Sequence, residues 1–172
     1  PPRAPPQLST LPPPRPLPLA RADLLASCPR PATPVGRLLL PLYGVNDAQS
    51  LEESDCICSA LQLINFWQDL SVDIPRGRIY LPADAWGKHG VDEAQLLGLQ
   101  ANPGTTNLIS DCARAASSSM LKGSKLVKKL PGRVGWELRL VAQGGLRILD
   151  KLARHGFKPL QQQPTLDPWD LP

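Results

Sequence analysis

No apolar run in the 172 residues approaches the roughly 18 that a membrane-spanning helix needs. No charged-then-apolar signal pattern opens the chain, which starts at Pro1 rather than methionine. The four cysteines, Cys28, Cys56, Cys58 and Cys112, show no paired zinc spacing, and Cys56 and Cys58 stand too close for a CxxC knuckle. They read as small buried hydrophobes in a reducing compartment. There is no glycine-rich dinucleotide fingerprint, no internal repeat and no strand pattern of period two. The two histidines, His89 and His155, each sit beside a helix-ending glycine, outside any nucleophilic-site context. These absences leave an all-α reading and turn attention to carboxylates.

What is present is unevenly spread. Twelve of the 21 prolines fall in the first 34 residues. Each removes a backbone donor and clashes with the preceding turn, so PPRAPPQLSTLPPPRPLPLA is no helix interior. Residues 1–21 read as a disordered, polyproline-like leader, whose PPPRPLP run has the form of a PxxP ligand. The overall charge of +4 is also divided: 5 basic residues meet 2 acidic over 1–50, 3 meet 8 over 51–110, and 11 meet 5 over 111–172. An acidic centre between basic ends points to a local carboxylate function and away from a nucleic-acid surface.

The strongest element is a helix over about 48–73, capped by Asp47 and stopped by Pro75 and Gly77. GRIYLP reads as extended, and ADAWGKHG and VDEAQLLGL as short helices. A turn at NPGTT then precedes a helix over about 106–130, and WELRLVAQGGLRILDKLARHG forms the last helix, closed by Gly156. At about 100° per residue, Asp55, Gln62, Asn65, Asp69 and Asp73 share an arc of roughly 80° on the central helix. Leu61, Leu63, Ile64, Phe66, Trp67 and Leu70 occupy the rest. A helix apolar nearly all round is buried, and buried carboxylates need partners. One reading pairs Asp69 and Asp73 with Lys or Arg of the last helices. The other sets the two carboxylates, one turn apart, on hard divalent cations such as Mg²⁺. Gln62 and Asn65 extend that row of oxygen donors, and Arg76 and Arg78 supply guanidinium groups suited to phosphate. Metal and arginines for a leaving diphosphate, with an apolar wall against water, are what ionising a hydrophobic substrate requires.

ALQLINFWQDLSVDIPRGRIYLPADAWGKHGV resembles the second aspartate-rich region of the squalene/phytoene synthase family: a glutamine, an asparagine three later, DxxxD, then GR and a YLP-like segment. The WQD triplet, PVGRLLLPLYG and LPGRVGWELRLVAQGGLRILDKLARHGF look like its hopanoid-pathway branch, over about 22–172. The resemblance implies an isoprenoid-synthase helical bundle, here its C-terminal portion. The domains would be a leader at 1–21, a partial helical domain at 22–160 and a tail at 161–172. It also implies a cytoplasmic enzyme, at most peripheral at the membrane, acting on a prenyl diphosphate such as presqualene diphosphate. Mg²⁺-dependent diphosphate loss, carbocation rearrangement and capture by water or by NADPH hydride would follow. Asp69 and Asp73 would be the catalytic metal ligands, and Gln62, Asn65 and Arg78 would face the diphosphate. Arg76 is adjacent, although the family pattern does not require it.

Two departures stand out. The family sets two aspartate-rich helices face to face, yet Asp23 is the only carboxylate in the first 46 residues. Ser27 precedes Cys28 where the family has tyrosine, and Pro29 and Pro31 follow where a helix should run. The chain thus reads as N-terminally incomplete, with apolar faces of the central helix left exposed. An inactive remnant, a helical interaction protein, and a prenyl transferase making presqualene diphosphate or phytoene are the alternative readings. Among other features, Lys122, Lys125 and Lys129 share a helix face that is either solvated or turned to lipid headgroups. Trp136 reads as core, Gly144 and Gly145 as a close-packing point, and Arg139 and Arg147 as partners of the acidic central helix.

Overall fold

The structure, a computed structural model, describes residues 20, 24, 33–161, 164 and 165. Nearly all of the expected leader, Ser27 to Pro31 with Cys28, and most of the tail lie outside the described residues. Among those described there are seven α-helices and no strand. They are α1 (Thr33–Leu42), α2 (Ala48–Gln68), α3 (Leu70–Asp73), α4 (Ala83–Trp86), α5 (Glu93–Leu97), α6 (Pro103–Gly123) and α7 (Gly132–Arg154). Short 3₁₀ segments occupy Ile74–Arg76, Gly87–His89 and Ser124–Lys128. No described helix is long and apolar enough to cross a membrane.

The central helix begins where its cap requires. Asp47 accepts the Ser50 N–H at 2.9 Å and the Ser50 hydroxyl at 2.6 Å, satisfying a donor that a helix start leaves orphaned. α2 then lies in the middle of the bundle, packed against α1, α6 and α7. Its Ile57, Ala60, Leu63, Ile64 and Trp67 are buried together with Leu108, Ile109 and Met120 of α6 and Ile148 and Leu149 of α7. Each large aliphatic buried there is worth about 1.5–3 kcal/mol.

Two glycines set the closeness of this packing. A Cβ at Gly123 would lie 2.5 Å from the Glu53 carbonyl oxygen and 2.9 Å from the Ile57 nitrogen. At Gly145 it would meet Met120 Cε at 2.9 Å and Leu61 Cδ2 at 3.2 Å, the close approach expected of the GG pair.

Several expectations are corrected. PVGRLLLPLYG, to which the sequence pattern assigns no element, lies largely in α1, with Pro41 in the last turn and Gly44 at φ 74 just beyond. NPGTT forms the first turn of α6, because Asn102 and Thr105 cap one another reciprocally at 2.9 Å and Pro103 occupies N1. That helix closes at Gly123, and 124–128 tighten into 3₁₀. Trp136 is 61% exposed. It shares a face of α7 with the exposed Arg133, Arg139 and Gln143, away from the buried Gly145, Leu149 and Leu152.

The three residues of the lysine row are exposed, and two of them are in ion pairs. Lys122 pairs with Glu52 at 2.5 Å and Lys129 with buried Glu53 at 3.0 Å, while Lys125 is exposed. Arg139 and Arg147 make no ion pair with α2, whose acidic residues are met by Arg37, Lys122 and Lys129 instead. The exposed large apolar side chains lie on other elements than α2, chiefly Leu38, Leu39 and Leu42 of α1, because α6 and α7 already cover the central helix.

Candidate active site

The polar row ends in a break. α2 stops at Gln68, and Asp69, at φ −95 and ψ 11, stands between it and α3. The expected single helix over 48–73 is therefore two, with no glycine or proline at the junction. Hydrogen bonds nevertheless carry the backbone across. Asp69 N–H donates to Asn65 O at 3.0 Å, Asp73 N–H to Asp69 O at 2.8 Å, and Arg78 N–H to Asp73 O at 3.0 Å. Asn65, Asp69, Asp73 and Arg78 are thus successive steps of one hydrogen-bonded backbone path.

Neighbouring side chains brace this path. Buried Trp67 donates its indole N–H to Tyr80 O at 3.1 Å, and the Phe66 and Tyr80 rings stack with centroids 4.0 Å apart. Together they hold the GRIYLP segment against the end of α2. Gly77, at φ 78, takes the left-handed turn that separates Arg76 from Arg78. Gln68 donates to Pro164 O at 2.7 Å, tying the chain beyond α7 to the same place.

The structure brings five of the six expected site residues into this stretch: Asn65, Asp69, Asp73, Arg76 and Arg78. Asp69 and Asp73 are half-buried, and Asn65, Arg76 and Arg78 are exposed. Gln62, half-buried, lies about two turns before Asp69 on α2. Asp55, the fifth member of the polar arc, is apart from them: Arg37 of α1 holds it through two contacts at 3.1 and 2.6 Å. Asp73, Arg76 and Arg78 make no ion pair among the described residues.

Next to the row lies an apolar cavity system that sequence reasoning did not delineate. A groove of about 550 Å³ runs between α1, α2 and α7, lined by Leu39, Leu40, Tyr43, Ile57, Leu138 and Val141 among others. A second recess of about 580 Å³ shares Leu61 and Val141 with it and reaches Asn65 and Gln68. Gly36 admits α1 to the groove floor, since a Cβ there would lie 2.3 Å from Ser54 Oγ. That glycine inside an apolar run was the available sequence signal. Cys58 lines the same groove, and burial pushes its thiol up from the ordinary range. Cys56 and Cys58 are half-buried and Cys112 is buried, none of them in a disulfide.

No cluster of three or more His, Cys, Asp and Glu side chains suited to a metal occurs among the described residues. The donor set at this end is a carboxylate pair one turn apart. That fits Mg²⁺, which keeps waters and takes phosphate oxygens, and does not fit a cation needing an all-protein cage. Elsewhere, His89 Nε2 lies 3.2 Å from Asp111, which also meets Lys88 and Arg114. This surface network joins the 87–89 turn to α6.

The squalene/phytoene synthase family model matches residues 14–170. A phytoene synthase of Thermus thermophilus is 32% identical over 152 residues, 87% of this chain and 51% of its own length. A presqualene diphosphate synthase of Rhodopseudomonas palustris is 29% identical, covering 79% of this chain and 49% of its own. A hydroxysqualene synthase of Sinorhizobium fredii is 26% identical, with 87% and 51% covered. The chain spans about half the length of the curated relatives it matches. Among solved structures, the squalene synthase HpnC of Alicyclobacillus acidocaldarius superposes with a TM-score of 0.79 at 32% identity, over 83% of this chain and 54% of that one. A dehydrosqualene synthase at 20% identity and TM-score 0.70 has the same fold.

Proposed function

Because the chain belongs to the squalene/phytoene synthase family, we propose that it carries one half of a site for Mg²⁺-dependent loss of diphosphate from presqualene diphosphate. One observation supports this reading above the rest: Asn65, one turn before Asp69, lines a recess that shares Leu61 and Val141 with the apolar groove, and Asp73, Arg76 and Arg78 follow Asp69 within nine positions. Asp69 and Asp73 would hold magnesium, whose chemistry when bound is to neutralise a departing diphosphate. Arg78, with Arg76 beside it, would take phosphate oxygens through planar guanidinium forks. Asn65 and Gln62 would orient the polar head. The groove would hold the isoprenoid chain away from water.

The reaction breaks the substrate's C–O bond, and the electron pair leaves with diphosphate. The carbocation rearranges. Addition of water with loss of a proton then gives an alcohol of the hydroxysqualene type, whereas hydride from NADPH would give squalene. With no dinucleotide fingerprint in the chain, water capture is the better fit. The helical domain would extend over 22–160, and the reaction would take place in the cytoplasm, at most at the membrane surface.

Two other readings stay specific. The relatives include enzymes named for making phytoene and presqualene diphosphate, which favours a prenyl transferase as runner-up. The other is an inactive remnant that keeps the fold without the chemistry.

The test is pyrophosphate release from presqualene diphosphate by the purified chain with Mg²⁺, followed by product analysis with and without NADPH. Release with an alcohol product supports the proposal. Release only from pairs of shorter prenyl diphosphates supports the transferase. No Mg²⁺-dependent release, with Asp69→Asn and Asp73→Asn changing nothing, supports the remnant.

A further inference from the structure

The recess beside Asn65 is walled by two helices and by a piece of chain that belongs to neither. α2 contributes Leu61, Ile64 and Gln68, and α7 contributes Val141 and Ile148, each set at helical spacing along one side. Thr165 lines the same recess, although α7 ends well before it at Arg154. Gln68 Nε2 donates to Pro164 O at 2.7 Å, and Lys151 Nζ donates to Thr165 O at 2.7 Å. Two successive carbonyls are thus held by different helices. Gln68 is the last residue of α2, and Lys151 stands one turn past Ile148 on α7. Residues 164 and 165 therefore bridge the two helical walls at one end of the recess.

Gln68 is the stronger anchor. Pro164 is buried and has no N–H, so its carbonyl is its only backbone hydrogen-bonding group. Without a donor that carbonyl would be an unpaired acceptor in a buried residue, which is costly. The half-buried Gln68 amide supplies the donor. Thr165 is exposed, so water replaces Lys151 at its carbonyl more cheaply. Gln68 stands between Asn65 and Asp69 in the chain, yet its amide N–H is engaged with residue 164.

We propose that Gln68, seconded by Lys151, is a positioning residue that holds residues 164 and 165 as the third wall of this recess, so that an apolar chain bound there is shielded from water. That the bound chain is a prenyl group rests on the proposed function; the wall itself does not.

Calorimetry measures the binding of farnesol and of farnesyl thiodiphosphate, whose C–S bond resists ionisation, with and without Mg²⁺. Gln68→Ala should weaken farnesol binding by about five- to tenfold, the scale of one hydrogen bond, with the helical circular dichroism retained. Gln68→Glu, the same shape without the donor, should do the same. Thr165→Trp should also weaken farnesol, because an indole held there fills the recess. Adding Gln68→Ala to Thr165→Trp should then restore binding to the level of Gln68→Ala alone, since the indole is released. A merely structural Gln68 would make that double variant worse, and this result overturns the proposal. Farnesol binding unchanged in Gln68→Ala or in Thr165→Trp overturns it too, and so does a parent that binds neither ligand. If Gln68→Ala does not fold, Lys151→Met serves as the releasing variant, with the same signs expected. Farnesol results as expected, with no gain from Mg²⁺ for the thiodiphosphate, leave the wall intact and sink the diphosphate reading. A gain from Mg²⁺ with farnesol binding that none of these substitutions touches does the reverse.

Discussion

The two ends of α2 carry the same kind of side chain in opposite circumstances. At the N-terminal end, the carboxylates are met by other parts of the chain. Asp47 caps Ser50, Glu52 meets Lys122, Glu53 meets Lys129 and Gln49, and Asp55 meets Arg37. At the other end, Asp73 has no ion pair among the described residues, and neither have Arg76 and Arg78 although they follow within five positions. Carboxylates that cross-link helices belong to the fold. A carboxylate and two arginines held near one another without pairing are available to a ligand that takes both signs of charge, as a metal-bound diphosphate does.

The sharpest way to break this contrast is to change the second end and watch stability. Asp69→Asn with Asp73→Asn should lower Mg²⁺-dependent pyrophosphate release about 10³-fold, the scale of several kcal/mol of leaving-group stabilisation. The melting temperature of Asp73→Asn alone should stay where it was. A fall in melting temperature without loss of release would show that this end, too, is structural.

At the first end the expectation inverts. Glu53 has only 4% of its side chain exposed, so Lys129→Met strands a buried carboxylate. The cost should be about 3–5 kcal/mol, seen in urea unfolding. Adding Glu53→Leu should recover most of it, because the charge that needed a partner is gone. If Lys129→Met alone is neutral, the pair is no cross-link and the contrast fails. Gly123→Ala probes the same place through shape. Its Cβ would press on the backbone of Glu53 and Ile57 rather than on a flexible side chain, so about 1–3 kcal/mol is expected, less the helix propensity gained.

The legible parts of the fold were those set by local chemistry. Asp47 as cap, the stop after Asp73 and the left-handed Gly77, Gly90 and Gly156 follow from a residue and its immediate neighbours. The polar arc was legible as a pattern, and the comparisons bear out the family its motif resembles. What that arc contained was only partly legible. Asp55 belongs to Arg37, a partner 18 positions away whose approach depends on α1 being a helix. The break at Asp69 carries no sequence mark, since the Trp67 and Phe66 contacts with Tyr80 that brace it are tertiary. Trp136 is different: its phase with Arg133, Arg139 and Gln143 placed it on the polar face, so the signal was present and hydrophobicity alone pointed the other way.

The smallest effect sharpens the comparison at the cap itself. The Ser50 hydroxyl, then its N–H, hold the Asp47 carboxyl below the ordinary carboxylate range. A lowered folded-state pKa contributes stability that is fully present above the unfolded value of about 3.9 and is lost as pH falls through the folded one. Asp47→Ala should therefore lower stability near neutral pH, the direction expected for loss of a helix cap. The gap between variant and parent should begin to narrow below about pH 4 and close as pH falls through the parent's lowered value. Unfolding in urea at pH 7 and pH 3 measures both. A gap that stays constant between them would mean that Asp47 caps through its shape rather than its charge.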